Sequence, residues 1–92
     1  MKRSGPLRRK YDAEKIARHA DWRAGVMHRA NWKCEAVDLP HLCASRAEEP
    51  HHVLPRSRGG KDVLDNGLAV CAEAHRTIHS YPVHARELGY LR

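Results

Sequence analysis

Four histidines have the type and spacing of a hydrolytic metal site: His51, His52, His75 and His79. Residues four apart on a helix face the same side, so His75 and His79 can bind one metal ion together. Neighbouring residues on a strand point to opposite sides, so one of His51 and His52 can bind the ion while the other stays free to accept a proton. Metal-assisted hydrolysis requires that division of roles.

Two common zinc motifs do not fit these histidines. The segment 75–79 has the two-histidine spacing of a zinc protease helix, but Arg76 stands where the glutamate base should follow the first histidine. A Cys2His2 finger that used Cys34, Cys43 and the same histidine pair would have eight residues between its cysteines and 31 before its first histidine. Both gaps are far outside finger spacing.

The full pattern resembles the motif of the HNH, or ββα-metal, nucleases. Thirteen residues separate the pair 51–52 from Asn66, eight separate Asn66 from His75, and three separate His75 from His79. This spacing is similar to that of the colicin-type bacterial toxin nucleases, whereas the segments 56–60 and 79–82 are more similar to small phage-encoded HNH proteins. The resemblance covers roughly residues 34–90.

The resemblance implies a role for each of these side chains. His51, His75 and His79 would be the metal ligands, and His52 would be the general base. An unperturbed imidazole suits that role because it is neutral near pH 7 and accepts a proton from water. Asn66 would form hydrogen bonds across the loop and hold His52 in orientation. Cleavage would leave 5′-phosphate and 3′-hydroxyl ends.

One divalent metal ion is the implied cofactor, and its identity stays open between zinc, nickel, manganese and magnesium. Three neutral imidazoles favour zinc, nickel, cobalt or manganese over magnesium, which prefers oxygen ligands. Relatives, however, are often active with magnesium or manganese. Glu49 lies where the colicin-type nucleases place a carboxylate behind a metal ligand.

The three cysteines raise the question of a second, structural zinc. An odd number of cysteines cannot close a disulfide framework. Many phage relatives hold such a zinc with four cysteines, and this chain has Ala74 where the last of them would stand. Cys34, Cys43 and Cys71 can still bind zinc with a fourth ligand such as His41 or a water. They can equally be buried thiols that act as small apolar side chains.

The order of patterns along the chain predicts an α+β domain with the ββα-metal fold, preceded by an N-terminal helix. Six apolar residues at helical spacing predict a core-facing helix over about residues 13–30. They are Ala13, Ile16, Ala17, Ala20, Ala24 and Met27. Short strands are predicted at 51–54 and 66–71, and helices at 72–79 and 82–88.

Basic residues are concentrated at the start of the chain. Residues 1–10 contain five basic residues and no acidic one, whereas the rest has 12 basic and 11 acidic residues. A run this basic cannot bury enough apolar surface to fold alone. We therefore expect a flexible basic arm over residues 1–11, which either contacts DNA phosphates or only keeps the chain in solution. A single domain is expected over 12–92, with its motif core at 49–80.

Length and composition favour one small domain without a membrane anchor. A domain below about 80 ordered residues usually needs a metal, disulfides or a partner to supplement its core, and this chain of 92 residues has no Phe. No stretch approaches the roughly 20 apolar residues that span a bilayer, and no signal-peptide pattern opens the chain. We expect a cytoplasmic protein, located in a bacterial host cell if a phage encodes it.

DNA is the expected partner, and metal-dependent endonuclease cleavage, as nicks or double-strand breaks, is the expected activity. Phosphate contacts are expected from Arg8, Arg9, Lys10, Arg56, Arg58, Lys61 and Arg76. Because phage proteins that resemble this chain are often encoded near packaging enzymes, we expect assistance to DNA packaging, with terminase proteins as partners. The alternative is a non-catalytic module whose metal only stabilises the fold for DNA binding or packaging. That alternative has no use for His52 beside a metal ligand.

Overall fold

The computed structural model describes the backbone of residues 5–92 and the side chains from residue 13 onward. Within these residues, three helices and two strands follow one another as α1 (Gly5–Arg29), β1 (Glu49–His52), β2 (Gly67–Val70), α2 (Ala72–Ser80) and α3 (Pro82–Glu87). The expected α+β order is therefore confirmed. The helices of this described part are each too short or too polar to cross a membrane.

The two strands pair antiparallel, with His51 opposite Leu68 and His52 opposite Gly67. β1 begins and ends two residues earlier than the sequence predicted. β1 ends at His52, and beyond it Leu54 no longer pairs with a strand. The Leu54 N–H donates instead to the side-chain oxygen of Asn66 at 2.7 Å. The loop between the strands contains two single-turn 3-10 helices, Arg56–Arg58 and Leu64–Asn66.

The first helix begins at Gly5 and not near residue 13. Its opening sequence favours this earlier start, because Pro6 is suited to the first helical turn and the following residues 7–10 are Leu, Arg and Lys, which are good helix formers. The backbone of 5–11, expected within a flexible arm, is therefore helical. Residues 1–4 lie outside the described residues, and the role of the arm stays a prediction.

The predicted apolar stripe of α1 is mostly not part of the core. Met27 is fully buried, but Ile16 is 68% exposed, and Ala13, Ala17, Ala20 and Ala24 are exposed as well. The 25 residues of α1 span about 37 Å, so only the last turns of the helix lie against the small sheet. There Trp22 and Val26 are buried together with Met27.

Two groups of buried side chains hold the fold together. The first joins the end of α1 to the sheet through Trp22, Val26, Met27, Ala47 and Ala69. The second lies between the segment 34–39, α2 and α3, and contains Cys34, Ala36, Leu39, Val70, Cys71, Ala74, Ile78, Ala85 and Leu91. Because successive residues of β2 take part in different groups, the strand is packed on both faces.

The crossing of α1 over β2 requires a residue without a side chain at position 67. A Cβ on Gly67 would lie 2.3 Å from Cγ2 of Val26 and 3.1 Å from Nε1 of Trp22. A Cβ on Gly25, by contrast, would meet only the flexible end of Leu64, at 2.9 Å.

We expect Gly67→Ala to lower the free energy of unfolding by about 1–3 kcal/mol, because overpacking forces the helix away from the strand. Gly25→Ala is the matched control and should be close to neutral, since a gain of about 1 kcal/mol in helix propensity offsets the new contact. Urea unfolding followed by circular dichroism measures both values. Equal stability of the two variants would contradict the close packing of α1 on β2.

Candidate active site

β1 and α2 bring three of the four histidines together. One ring nitrogen from each of His51, His75 and His79 lies within 4.8 Å of the other two, and the ring centroids are 4.9 to 5.6 Å apart. Zinc–nitrogen bonds are about 2 Å long, so ligands of one ion lie at most roughly 4 Å apart. Small rotations of the rings would therefore let these three histidines bind one ion.

In two of these rings, one nitrogen donates a hydrogen bond to an oxygen of the protein, and this bond fixes the orientation of the ring. Nε2 of His51 donates to the main-chain oxygen of Tyr90 at 2.8 Å, and Nδ1 of His75 donates to Glu49 at 2.5 Å. A carbonyl or carboxylate oxygen can only accept, so Nδ1 of His51 and Nε2 of His75 keep their lone pairs. Metal-binding histidines ordinarily have an acceptor of this kind behind them, so the geometry fits a metal site.

Burial favours the neutral, metal-binding form of two of the clustered imidazoles, those of His51 and His79. Desolvation lowers the pKa of His51 to about 4, although the Tyr90 carbonyl acts in the opposite direction. Burial also lowers the pKa of His79, and the nearby His75 adds to the effect. Since only a neutral ring has a free lone pair, the site is prepared for a cation near neutral pH.

His52 points to the opposite side of β1 from His51. Its Nε2 donates to Oδ1 of Asp62 at 2.7 Å, and its ring stacks on Trp22 with the centroids 4.1 Å apart and the planes 14° from parallel. His52 also lines a cavity of about 240 Å³ together with the three clustered histidines. The side chain predicted as the base thus opens into the same space as the predicted ligands.

Asn66 is buried, and its amide closes the loop between the strands. Its Oδ1 accepts from the Leu54 N–H at 2.7 Å, and its Nδ2 donates to the main-chain oxygens of Leu54 and Lys61 at 3.0 and 3.1 Å. These hydrogen bonds cross the loop. They reach the loop backbone and not the His52 ring, so any effect on His52 passes through the loop.

Two of the predicted phosphate-binding arginines have acidic partners. Arg56 donates to Oδ2 of Asp62 at 2.8 Å, and Arg76 forms an ion pair with Glu73 one turn earlier on α2. Arg58 is exposed on the loop between the strands. These positions leave all three guanidinium groups at the surface, where a phosphate can reach them.

A larger basic cavity lies between α1 and the loop. It has a volume of about 490 Å³, and its lining includes Lys15, Arg18, Arg56 and Lys61. The two residues from α1 were missed in the sequence because a basic residue on a predicted amphipathic helix has no distinguishing signal. The side chains of residues 8–10 lie outside the described residues, so their expected phosphate contacts stay a prediction.

The cysteines form a second cluster, and a histidine completes it. Donor atoms of Cys34, His41, Cys43 and Cys71 all lie within 4.8 Å of one another. Nδ1 of His41 donates to the main-chain oxygen of Leu39 at 2.5 Å, which leaves Nε2 free at 3.9 Å from Cys34 Sγ. Three thiols and one imidazole form a donor set typical of structural zinc. Of the two candidates for a fourth ligand, the structure brings His41 into place.

The start of α2 favours a thiolate at Cys71. Burial raises the pKa of this thiol, but main-chain hydrogen bonds from Ala44 and Ala74 lower it more, to about 7. The Ala74 N–H reaches Sγ at 3.4 Å and caps the helix. Burial raises the pKa of Cys34 to about 11, so a metal ion would have to displace a proton there.

Comparison with known proteins gives two matches to this part of the chain. The family described as HNH endonuclease matches residues 34–81, just over half of the chain. A stretch of 40 residues, 44% of the chain, is 50% identical to the type IV methyl-directed restriction enzyme EcoKMcrA of Escherichia coli (strain K12), and it covers 14% of that protein. No solved structure matches the chain. The family match contains both clusters but neither Trp22 nor Tyr90.

We expect Glu49→Ala to weaken metal binding at the three histidines by about 10- to 100-fold, because His75 loses the acceptor that orients it. Glu48→Ala is the matched control, since this neighbouring carboxylate is exposed. The affinity for Mn²⁺ measures the effect, because manganese prefers nitrogen and oxygen ligands to thiolates. If both variants bind Mn²⁺ equally well, the contact between Glu49 and His75 has no part in the site.

The pKa of His51 gives a pH test of its burial. In chelator-treated protein we expect this ring to titrate near pH 4, and not near the ordinary value of 6.5. Since the unfolded chain takes up this proton near pH 6.5, folding stability should decline as the pH falls from about 6.5 to about 4. NMR of the ring proton measures the midpoint. A midpoint near 6.5 would mean that His51 is not buried as described.

Proposed function

We propose a specific reaction for this chain, which belongs to the HNH endonuclease family: metal-dependent hydrolysis of phosphodiester bonds in DNA, with His52 as the general base. The observation that carries this proposal is the position of His52. It lies on the opposite face of β1 from His51, yet it lines the same cavity as His51, His75 and His79. A module that used metal only to stabilise its fold would have no need there of an imidazole that is not a metal ligand.

The chain's own residues supply the proton transfer and the positioning. His51, His75 and His79 would hold the ion, which supplies Lewis-acid stabilisation of negative charge on the phosphate and on the departing oxygen. His52 takes a proton from water, and the water oxygen bonds to phosphorus as the bond to the 3′ oxygen breaks. The 3′ oxygen then takes a proton from solvent. Asn66 keeps the loop beside His52 closed.

The donor chemistry of the site favours zinc, nickel, cobalt or manganese, because its three ligands are neutral imidazoles. We assign a structural zinc to the second cluster, with Cys34, Cys43, Cys71 and His41 as ligands. The hydrogen bond from His41 to the Leu39 carbonyl supports this assignment, since it fixes the ring with its free nitrogen towards the thiols. His41 thereby compensates for the absence of a fourth cysteine at position 74.

DNA is the proposed substrate because basic side chains surround the site. Arg56, Lys61, Lys15 and Arg18 line one cavity beside it, and cations of this kind bind phosphates without regard to sequence. The E. coli relative is named a methyl-directed restriction enzyme, which is consistent with a DNA substrate. Nicking or double-strand cleavage during phage DNA packaging, in the host cytoplasm and with terminase proteins as partners, is the biological setting that we propose.

The proposal is tested by cleavage of a supercoiled plasmid with added Mn²⁺. Wild-type protein should produce nicked or linear plasmid, and EDTA should abolish this activity. His52→Ala should lose at least 100-fold in rate, since a positioned base contributes about 10²- to 10⁴-fold, while it retains bound metal. Cleavage by His52→Ala at the wild-type rate would show that His52 is not the base.

Metal analysis of the same proteins separates the two sites. Wild-type protein and His52→Ala should each bind two ions per chain. His75→Ala should lose the ion at the three histidines and its activity together, but it should keep one zinc at the cysteine cluster. Retention of both ions by His75→Ala would contradict the assignment of the histidine site.

A further inference from the structure

Among the described residues, one mostly buried carboxylate has a position that the reaction above does not explain. Asp62 lies in the loop between the strands, and its side chain is only 9% exposed. A buried carboxylate is costly unless both of its oxygens have partners. Here Oδ1 accepts from His52 at 2.7 Å and Oδ2 accepts from Arg56 at 2.8 Å. One of the two carboxylate oxygens therefore binds the proposed base directly.

We infer that Asp62 and Trp22 are positioning residues, which fix the His52 ring so that Nδ1 is the nitrogen that takes the proton from water. This inference rests on the proposed role of His52 as the base. Asp62 determines which nitrogen carries the resting proton, and Trp22 determines the plane of the ring. Neither residue touches the substrate in this scheme.

The hydrogen bond determines the tautomer because the carboxylate is ionised. Burial raises the pKa of Asp62, but the contact with His52 and the charge of Arg56 lower it more, so that the pKa lies below its ordinary value. An ionised carboxylate can only accept, so Nε2 of His52 carries the hydrogen. In a neutral imidazole the other nitrogen, Nδ1, then holds the lone pair. A carboxylate also orients the histidine of serine protease triads, although there it binds Nδ1–H and leaves Nε2 as the base.

The stacking partner is itself held rigidly. Trp22 is 4% exposed, and its indole N–H donates to the main-chain oxygen of Val63 at 2.8 Å. Val63 directly follows Asp62 in the chain. The loop residue that binds the tryptophan and the loop residue that binds His52 are therefore neighbours, so the stack and the hydrogen bond form one unit.

Asn66 connects to this unit through the backbone. Its Nδ2 donates to the main-chain oxygen of Lys61 at 3.1 Å, and Lys61 is the residue before Asp62. The contacts run from Asn66 to Lys61, then along the chain to Asp62 and across to His52. This route explains how an asparagine that bonds only to the loop can hold the base in orientation.

A spectroscopic measurement tests the tautomer directly on the zinc-loaded protein. At about pH 8, above the ordinary pKa of histidine, ¹⁵N NMR should show the hydrogen of His52 on Nε2 and the lone pair on Nδ1. In Asp62→Ala this preference should be lost. A wild-type His52 with its hydrogen on Nδ1 would overturn the inference, whether or not the protein cleaves DNA.

Kinetics with the Mn²⁺-loaded enzyme provide the second test. Asp62→Ala should lower kcat by roughly 10- to 100-fold, part of the effect of a positioned base, while KM and Mn²⁺ affinity stay close to wild type. Asp62→Glu should restore part of kcat. Asp65→Ala, which removes an exposed carboxylate from the same loop, is the matched control and should behave as wild type.

The outcomes separate this inference from the proposed function. If wild-type protein cleaves and Asp62→Ala has the same kcat, Asp62 does not position the base, although the nuclease assignment stands. If Asp62→Ala and Asp65→Ala lose activity and metal to the same extent, the effect is a general one on the loop and the inference is also wrong. A wild-type protein without cleavage activity overturns the proposed function. The NMR result then shows only whether Asp62 determines the tautomer of His52.

Discussion

The site depends on the alternation of side chains along one short strand. His51 and His52 are adjacent on β1, so their rings lie on opposite faces of the sheet. One face meets the two histidines of α2, and the other meets Trp22 of α1 and the loop with Asp62. A shift of the strand register by one residue would exchange these surroundings. The antiparallel pairing with β2 therefore places the two histidines in different surroundings.

Each face is completed by a segment outside the residues that match the HNH family. Tyr90, in the C-terminal segment, accepts the hydrogen bond that orients His51, and the Arg92 N–H donates to Val53 next to β1. Trp22, in the N-terminal helix, stacks on His52. The matched region covers 34–81, so both of these contacts come from outside it. The flanking segments thus supply the burial that keeps these imidazoles in place.

The sequence predicted the four histidines, Asn66 and the order of the elements, because spacing and strand alternation act locally. It did not reveal Asp62, Trp22 or the Tyr90 carbonyl. An aspartate two residues after the pair Gly59 and Gly60 is typical of an ordinary turn. A main-chain carbonyl acceptor cannot be predicted from residue types, since every residue has one. The stripe predicted for α1 was wrong for a similar reason. Periodicity shows which face of a helix is apolar, but not which of its turns meets the rest of the protein.

Helix α2 connects the two clusters mechanically. Cys71 caps its first turn through the Ala74 N–H, and His75 and His79 follow on the next turns of the same helix. A zinc held by Cys71 would fix the beginning of α2 to the segment with Cys34 and His41. The direction of the helix, and with it the position of both histidines, would then be fixed relative to β1. Ala74 is fully buried in this core, so its small side chain takes part in the packing, and the fourth ligand would come from His41 instead.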